Sequence, residues 1–222
     1  MSIRGKLFAA TYDRQMKKVE KAGLTKFRGR LIAQAAGRVL EIGGGTGANL
    51  AHYEPSVTSL TITEPEVPML KRLERRVQIE APGTTVLRAP AEDLPFEDEA
   101  FDVVVSTLVL CGVDDQPRAL REIRRVLRPE GHLLFLEHVR SADAKTAKKQ
   151  DRMNWMNQLV VCCDCNRSTL DTIRDAGFAI TSLEDISLPK VPSFVRPAIV
   201  GIATSPAVAS PNPLASGPAR LR

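Results

Sequence analysis

The sequence predicts an α/β fold: a doubly wound, mainly parallel seven-stranded sheet with an N-terminal helical cover. Three observations predict it: short apolar runs alternate with helical segments, a glycine-rich turn follows the first run, and the fourth run is almost continuously apolar. Parallel strands that helices cover on both faces are apolar along their whole length. With 222 residues, 43% hydrophobic and 26% charged, the chain has the size and composition of one globular domain with additions.

Residues 1–37 are predicted to form the helical cover. Apolar side chains between residues 6 and 35 recur mostly at spacings of three, four and eight, with an interruption near Gly23. Residues 1–38 hold ten basic and two acidic side chains, a net charge of +8, whereas the other 184 residues hold 21 basic and 24 acidic ones, a net charge of −3. This segment is either a solvated helical face or the contact for an anionic partner.

Strands and helices alternate through the rest of the chain. Seven strands are predicted, at residues 38–43, 59–64, 84–88, 101–108, 132–138, 178–187 and 196–204. Helices are predicted at residues 67–80, at 116–128 and over most of 143–176. We expect residues 38–204 to form the main domain, with 143–170 as a helical insertion or lid. Residues 205–222 contain four prolines among alanines and serines, which predicts a disordered tail.

A glycine-rich segment, Glu41-Ile-Gly-Gly-Gly-Thr-Gly47, follows the first strand and is predicted to open a helix. Its glycines allow a sharp turn and a close approach to a ligand, and the amides at a helix start favour a negative group. Glu64 ends the next strand, where its carboxylate can accept hydrogen bonds from both hydroxyls of a ribose. This pattern is typical of proteins that bind a nucleoside-containing cofactor, and Gly43, Gly45 and Ala48 also fit the pattern of NAD-binding proteins.

Three later motifs narrow the choice of cofactor. They are Ala91-Glu92-x-Leu94-Pro95-Phe96, Phe101-Asp102-Val103-Val104 and Arg125-Val126-Leu127-Arg128-Pro129. With the glycine-rich segment and Glu64, they resemble the class I S-adenosylmethionine-dependent methyltransferases, which have a Rossmann-like fold, over about residues 38 to 140. Gly-Asp often precedes the Ala-Glu pair in that family, whereas Ala89 and Pro90 stand here. The contact that the family's Asp makes with adenine therefore falls to Glu92 or Asp93.

The resemblance implies that S-adenosyl-L-methionine is the cofactor and S-adenosyl-L-homocysteine the product. It implies a methionine portion held at the glycine-rich segment, a ribose at the acid of the second strand and an adenine beside the Ala-Glu pair. The cofactor-binding residues that it predicts are Glu41, Gly43, Gly44, Gly45, Asn49, Glu64, Pro65, Ala91, Glu92 and Ser106.

Further motifs extend the resemblance to about residue 204. They are Val104 to Cys111, Leu136-Glu-His-Val139, the cysteine-rich turn up to Arg167-Ser-Thr169, Ala176-Gly-Phe178 and Val195-Arg-Pro197 with Gly201. These are similar to the alkyl-thiol S-methyltransferases and their bacterial relatives, whose animal members carry a hydrophobic N-terminal membrane anchor. No such stretch follows Met1 here, so the resemblance implies methylation of a small molecule without implying the same location. Sulfur ranks first as acceptor, ahead of an amine, a hydroxyl or a carbon.

Few side chains are needed for methyl transfer by in-line displacement, because orientation alone supplies about 7–11 kcal/mol of the barrier reduction. His138 ends the fifth strand, so it is predicted to act as the catalytic base or to line the acceptor pocket; the alternative is a structural histidine bonded to a carbonyl. An apolar stripe at 153–160 predicts either a helix packed on the sheet or a lid over the acceptor. The residues predicted for the substrate pocket are Tyr12, Cys111, Trp155 and Cys163.

Three cysteines stand close together at positions 162, 163 and 165. Adjacent cysteines cannot easily supply two of the four well-spread ligands that zinc needs, and Cys111 belongs to another strand. We therefore expect no metal, and predict a buried thiol cluster instead.

The composition also bears on partners and location. The longest apolar stretches are only a few residues long and no signal-peptide pattern follows Met1, so we expect a cytoplasmic protein without a membrane span. Aromatic residues make up 5% and no nucleic-acid methylation motif is present, so a nucleic-acid partner or a non-catalytic binding module ranks low. A remaining alternative is a phospholipid amine as acceptor, with residues 1–30 on an anionic membrane surface. The oligomeric state cannot be read from the sequence.

Overall fold

The computed structural model describes residues 16–161 and 163–206, which form a seven-stranded sheet in the order β3-β2-β1-β4-β5-β7-β6. Neighbouring strands from β3 to β5 run parallel, whereas β7 is antiparallel to both β5 and β6. The predicted α/β fold is confirmed. The strands are β1 Gly37–Ile42, β2 Val57–Thr63, β3 Thr85–Leu87, β4 Phe101–Thr107, β5 Leu127–His138, β6 Ala179–Ser187 and β7 Pro197–Thr204.

Helices cover both faces of the sheet. They are α1 Thr25–Ile32, α2 Val67–Glu80, α3 Gln116–Val126, α4 Ala144–Val161 and α5 Thr169–Asp175, with a π-helical turn at Glu20–Leu24 and a 3-10 turn at Leu50–His52. Gly23 has a φ of 138°, so the predicted interruption of the N-terminal helix is confirmed. In the ranges described, no helix is both long and apolar enough to cross a membrane. The expectations for residues 1–15 and for the tail at 207–222 lie outside the described residues.

The continuous apolarity of β4 follows from burial on both sides. Val103 and Val105 lie in the same core cluster as Leu31 of α1, whereas Val104 lies in the opposite cluster with Leu120 of α3. Successive side chains of a strand point to opposite faces, so each face needs its own apolar set. The sheet is therefore doubly wound, as the sequence predicts.

The structure contradicts one predicted helix and bears out another. Residues 45–49 form turns followed by the 3-10 turn, so the prediction of a helix opening at the glycine-rich segment is wrong. Gly45 and Gly47 have φ values of 58° and 85°, which a right-handed helix does not allow. The prediction that residues 143–176 are mainly helical is confirmed, and the stretch consists of two helices, α4 and α5, with residues 163–168 outside them.

The carboxyl ends of β1, β4 and β5 lie side by side. Ile42 pairs with Ser106, and Thr107 pairs with Leu136. The glycine-rich segment, the loop after β4 and the end of β5 therefore meet at one edge of the sheet. Ligands of open α/β sheets bind outside this edge.

Candidate active site

The glycine-rich turn packs tightly on one side and is open on the other. A Cβ at Gly43 would lie 2.7 Å from the Val109 side chain, and one at Gly44 would collide with Ile62. At Gly45, by contrast, no heavy atom of the described residues, apart from Gly45 and its two chain neighbours, lies within 4 Å of the Cβ position. The turn therefore offers a backbone cradle that a ligand can approach closely, which fits the predicted cofactor.

Glu64 immediately follows β2 and lies beside this cradle. One oxygen of its buried carboxylate accepts a hydrogen bond from the Gly45 amide at 2.8 Å, and the other accepts one from the Glu66 amide at 2.8 Å. Burial raises the pKa of this carboxyl, and the two amide hydrogen bonds oppose that rise. Each oxygen keeps a further lone pair for a hydroxyl donor, so the geometry fits ribose binding.

Glu41 and Asn49 belong to a closed network beneath the turn. Asn49 Nδ2 donates to Glu41 Oε1 at 3.0 Å, and the Tyr53 hydroxyl donates to Glu41 Oε2 at 2.7 Å. Burial raises the pKa of Glu41 to about 7, against the opposing effect of these hydrogen bonds. The polar atoms of both predicted cofactor residues are thus bonded to protein groups, which support the turn from below.

Arg28 of α1 joins the same network, although in the sequence it stands out only as one member of the basic segment. Its guanidinium is 2% exposed, and Nη1 donates to Asn49 Oδ1 at 3.0 Å and to Thr107 Oγ1 at 2.8 Å. Its Nε donates to Glu20 at 2.9 Å. The sequence contains one indication of this role. Arg28 stands four residues after Leu24 and three before Leu31, which places it on the apolar face of the helix.

Glu137, a second residue missed from the sequence, holds the loop after β4. Ser106 Oγ donates to its Oε1 at 2.7 Å, the Val109 amide donates to the same oxygen at 3.1 Å, and the Cys111 amide donates to Oε2 at 3.4 Å. Burial raises the pKa of this carboxyl. The Ser106 hydroxyl, which was predicted to bind the cofactor, therefore donates to Glu137. In the sequence, the one indication of the role of Glu137 is that it is an acidic residue inside an otherwise apolar stretch of β5.

The remaining predicted cofactor residues lie along the same edge. Ala91 is buried in the core cluster that contains α3. One Glu92 oxygen accepts hydrogen bonds from the amides of Asp114 at 2.8 Å and Asp115 at 3.3 Å, just before α3. The carbonyl of the half-buried Pro65 accepts one from Arg88 at 3.0 Å. The contact of Glu92 with adenine stays a prediction.

Three residues predicted for the acceptor side lie together. His138 Nδ1 lies 3.5 Å from Cys111 Sγ and 3.3 Å from Cys163 Sγ, and all three side chains are buried. A hydrogen bond with Cys163, together with burial, raises the pKa of Cys111 well above its ordinary value. The buried Nε2 of His138 has no hydrogen-bond partner among the residues described. We call this group the Cys-His cluster.

Polar side chains of α4 fix the turn that carries Cys163. Asn157 Nδ2 donates to the Cys163 carbonyl at 2.6 Å, and Gln150 Nε2 donates to the Cys165 carbonyl at 2.7 Å. The Asp164 amide donates to the Cys111 carbonyl at 2.7 Å, so the turn is joined directly to the loop after β4. The prediction of an apolar stripe in this helix did not anticipate these polar side chains.

Of the other two predicted pocket residues, Trp155 does not join the cluster. Trp155 is 64% exposed on α4, whereas Met153 and Met156 pack against Phe194 and its neighbours. Tyr12 and Cys162 lie outside the described residues.

Comparison with known proteins adds independent information. The family model described as "Methyltransferase domain" matches residues 40–135. The human thiol S-methyltransferase TMT1A is 35% identical over 180 residues, which are 74% of this chain and 69% of that protein. The ubiquinone/menaquinone biosynthesis C-methyltransferase UbiE of Shewanella oneidensis is 34% identical over 139 residues, 58% of this chain and 55% of that protein.

Solved structures support the fold. An S-adenosylmethionine-dependent methyltransferase of Thermotoga maritima, described as a possible histamine N-methyltransferase, superposes with a TM-score of 0.68 at 24% identity. The match covers 92% of this chain and 100% of that one.

Proposed function

The chain belongs to the class I S-adenosylmethionine-dependent methyltransferases, and we propose that it methylates the sulfur of a small thiol. S-adenosylmethionine is its cofactor and, when bound, supplies a methyl group already activated on a sulfonium. The observation that carries the proposal is the Cys-His cluster, which collects two thiols and an imidazole at the carboxyl edge of the sheet. The similarity to a human thiol S-methyltransferase supports the same acceptor.

For the cofactor, we propose that the amides of the glycine-rich turn and the Glu64 carboxylate make the main contacts. The open space at Gly45 supports the first assignment, and the fixed, buried carboxylate beside it supports the second. Pro65, Ala91 and Glu92 are proposed to border the adenosine, on the sequence resemblance. Glu41 and Asn49 are proposed to hold the shape of the turn.

On the acceptor side, the chain has to orient a sulfur and promote loss of its proton. A thiol ionises more easily than an alcohol or an ammonium, so positioning and modest activation are enough. His138 is the residue that we propose for this activation, because it lies at the end of β5 and directly contacts both cysteine sulfurs. Tyr12 and Trp155 stay predictions for the outer part of the pocket.

One specific observation favours a second candidate, a carbon acceptor. A C-methyltransferase shares 34% identity with this chain over 139 residues. Amine and hydroxyl acceptors, including a phospholipid amine at a membrane surface, stay alternatives from the sequence, as does the cytoplasmic location.

The test is a competition among acceptors of one size. The full chain is incubated with methyl-labelled S-adenosylmethionine and equal concentrations of butanethiol, butylamine, butanol and a small quinol, and the products are identified by mass. We expect the labelled methyl thioether to dominate, and Glu64→Ala to lose it. Labelled amine, ether or ring-methylated quinol without thioether would contradict the proposal.

A further inference from the structure

The Cys-His cluster has the dimensions of a metal site. The ligand atoms of Cys111, His138 and Cys163 all lie within 4.8 Å of one another. With bonds of about 2.3 Å to sulfur and 2.0–2.1 Å to nitrogen, a tetrahedral zinc ion places a sulfur and a nitrogen about 3.5 Å apart. The two sulfur-to-nitrogen distances here are 3.5 Å and 3.3 Å, so the spacing needs little adjustment.

We propose that Cys111, His138 and Cys163 bind one thiophilic divalent cation such as Zn²⁺. Among the residues that the structure describes these three supply the ligands, and we propose that the fourth coordination position is open. Two thiolates and an imidazole are the ligand types that select such ions over Mg²⁺ or Ca²⁺. Three protein ligands with an open position are typical of catalytic rather than structural zinc sites.

Charge balance fits a buried site of this kind. Each cysteine binds the cation as a thiolate, so two thiol protons leave to solvent when one divalent ion enters. The bound group of one dication, two thiolates and a neutral imidazole then has no net charge. A neutral group avoids the cost of burying an isolated ion.

The surrounding hydrogen bonds hold the ligands before any ion binds. Glu137 accepts from the Cys111 amide at 3.4 Å, and the Cys111 carbonyl accepts from the Asp164 amide at 2.7 Å. The Asn157 amide group donates to the Cys163 carbonyl at 2.6 Å. Such outer contacts orient metal ligands and raise the affinity of a site.

This proposal departs from the expectation of no metal, which rested on the spacing of the cysteines in the sequence. In the sequence, Cys162, Cys163 and Cys165 stand together, but the fold brings Cys111 and His138 to Cys163 from two neighbouring strand ends. Cys165 is equally buried, and its sulfur instead contacts Asn154 Oδ1 at 3.9 Å. It therefore serves as the matched control.

A role for the open position rests on the proposed function. An acceptor thiol entering there would bind as a thiolate, with its proton released to solvent, because a cation lowers the pKa of the group that it coordinates. The cation would then take over the activation that the proposed function assigns to His138, and His138 would act as one of its ligands.

The test measures metal binding without cofactor or acceptor. The full chain is reduced, stripped with a chelator and titrated with Zn²⁺ against a chromophoric competitor, with proton release measured in weak buffer. We expect one ion per chain, release of about two protons, and the visible absorption of tetrahedral thiolate coordination when Co²⁺ replaces Zn²⁺. Cys111→Ser and Cys163→Ser should each weaken binding at least tenfold, whereas Cys165→Ser should leave it unchanged.

Two results would overturn the inference: a reduced chain that retains no Zn²⁺, or equal loss of binding in Cys165→Ser. Circular dichroism confirms that each variant folds, and a cluster variant that fails to fold is replaced by His138→Gln.

The proposed function is judged separately, by the acceptor competition. Zinc binding without thiol methylation would contradict that function alone, and undiminished thiol methylation by a chain that binds no Zn²⁺ would contradict this inference alone.

Discussion

Three buried glutamates at the carboxyl edge of the sheet have different partners and different tasks. Glu41 is held by side chains beneath the glycine-rich turn, Glu64 by backbone amides of the turn, and Glu137 by the loop after β4. Burial raises the pKa of all three carboxyls. Only Glu64 lies beside the open face of the turn, which makes it the strongest candidate for direct cofactor contact.

The raised pKa of Glu41 predicts a pH-dependent stability. Because its pKa is about 7 in the folded chain and 4.5 for a solvated glutamate, as in the unfolded chain, the folded state binds the proton more tightly. The free energy of unfolding should therefore fall by up to about 3 kcal/mol as pH rises from the unfolded to the folded pKa, and then level off.

Glu41→Gln removes this titration, so its stability relative to the unaltered chain should improve between pH 5 and pH 8. Urea unfolding of both proteins at several pH values measures the difference. A difference that stays constant across this range would contradict the assigned pKa.

At the level of secondary-structure elements, helix α1 carries one buried positive charge, that of Arg28. Arg28 connects this helix to Asn49 beneath the glycine-rich turn and to Thr107 at the end of β4. The basic N-terminal segment is therefore not only a solvated face, since at least this one cation supports the site. Helix α1 therefore supports the glycine-rich turn as well as covering the sheet.

Arg28→Ala should lower the free energy of unfolding by about 2–4 kcal/mol, because it leaves buried polar partners without a donor. Arg30, on the same helix, is the control: its side chain is 59% exposed and pairs with Glu184 at the surface. Arg30→Ala should cost less than about 1 kcal/mol. Denaturant unfolding of both variants checks the pair, and equal losses would contradict the buried role of Arg28.

The bounds of a helix or strand could be predicted where the burial of its side chains leaves a regular pattern in the sequence. The pattern of β4 and the periodicity of α2 needed no tertiary information, because two-sided burial and one-sided burial leave different sequence patterns. The residues after the glycine-rich turn were mispredicted, because positive φ values at Gly45 and Gly47 stop a helix that the surrounding sequence would allow.

For the whole molecule, the sequence predicted which edge of the sheet carries the candidate site, but not every contact that forms there. The position of Glu64 and the glycines at this edge could be predicted, because a strand end followed by a loop locates them. Cys111, His138 and Cys163 were predicted for one pocket, but their direct contact could not be predicted, because it depends on two loops joined by the hydrogen bond from Asp164 to Cys111. Charge counting over residues 1–38 could not separate Arg28 from its exposed neighbours, because its spacing from Leu24 and Leu31, and not its charge, distinguishes it.

The central claim is that the cofactor binds at the glycine-rich turn through Glu64, and calorimetric titration of S-adenosylmethionine tests it most directly. Glu64→Ala should weaken binding by about 100-fold or more, since two hydrogen bonds to a charged acceptor are lost. Glu66→Ala is the matched control: its exposed side chain is removed while its backbone amide still donates to Glu64. We expect a loss in the first variant only, and undiminished binding by a folded Glu64→Ala variant would contradict the claim.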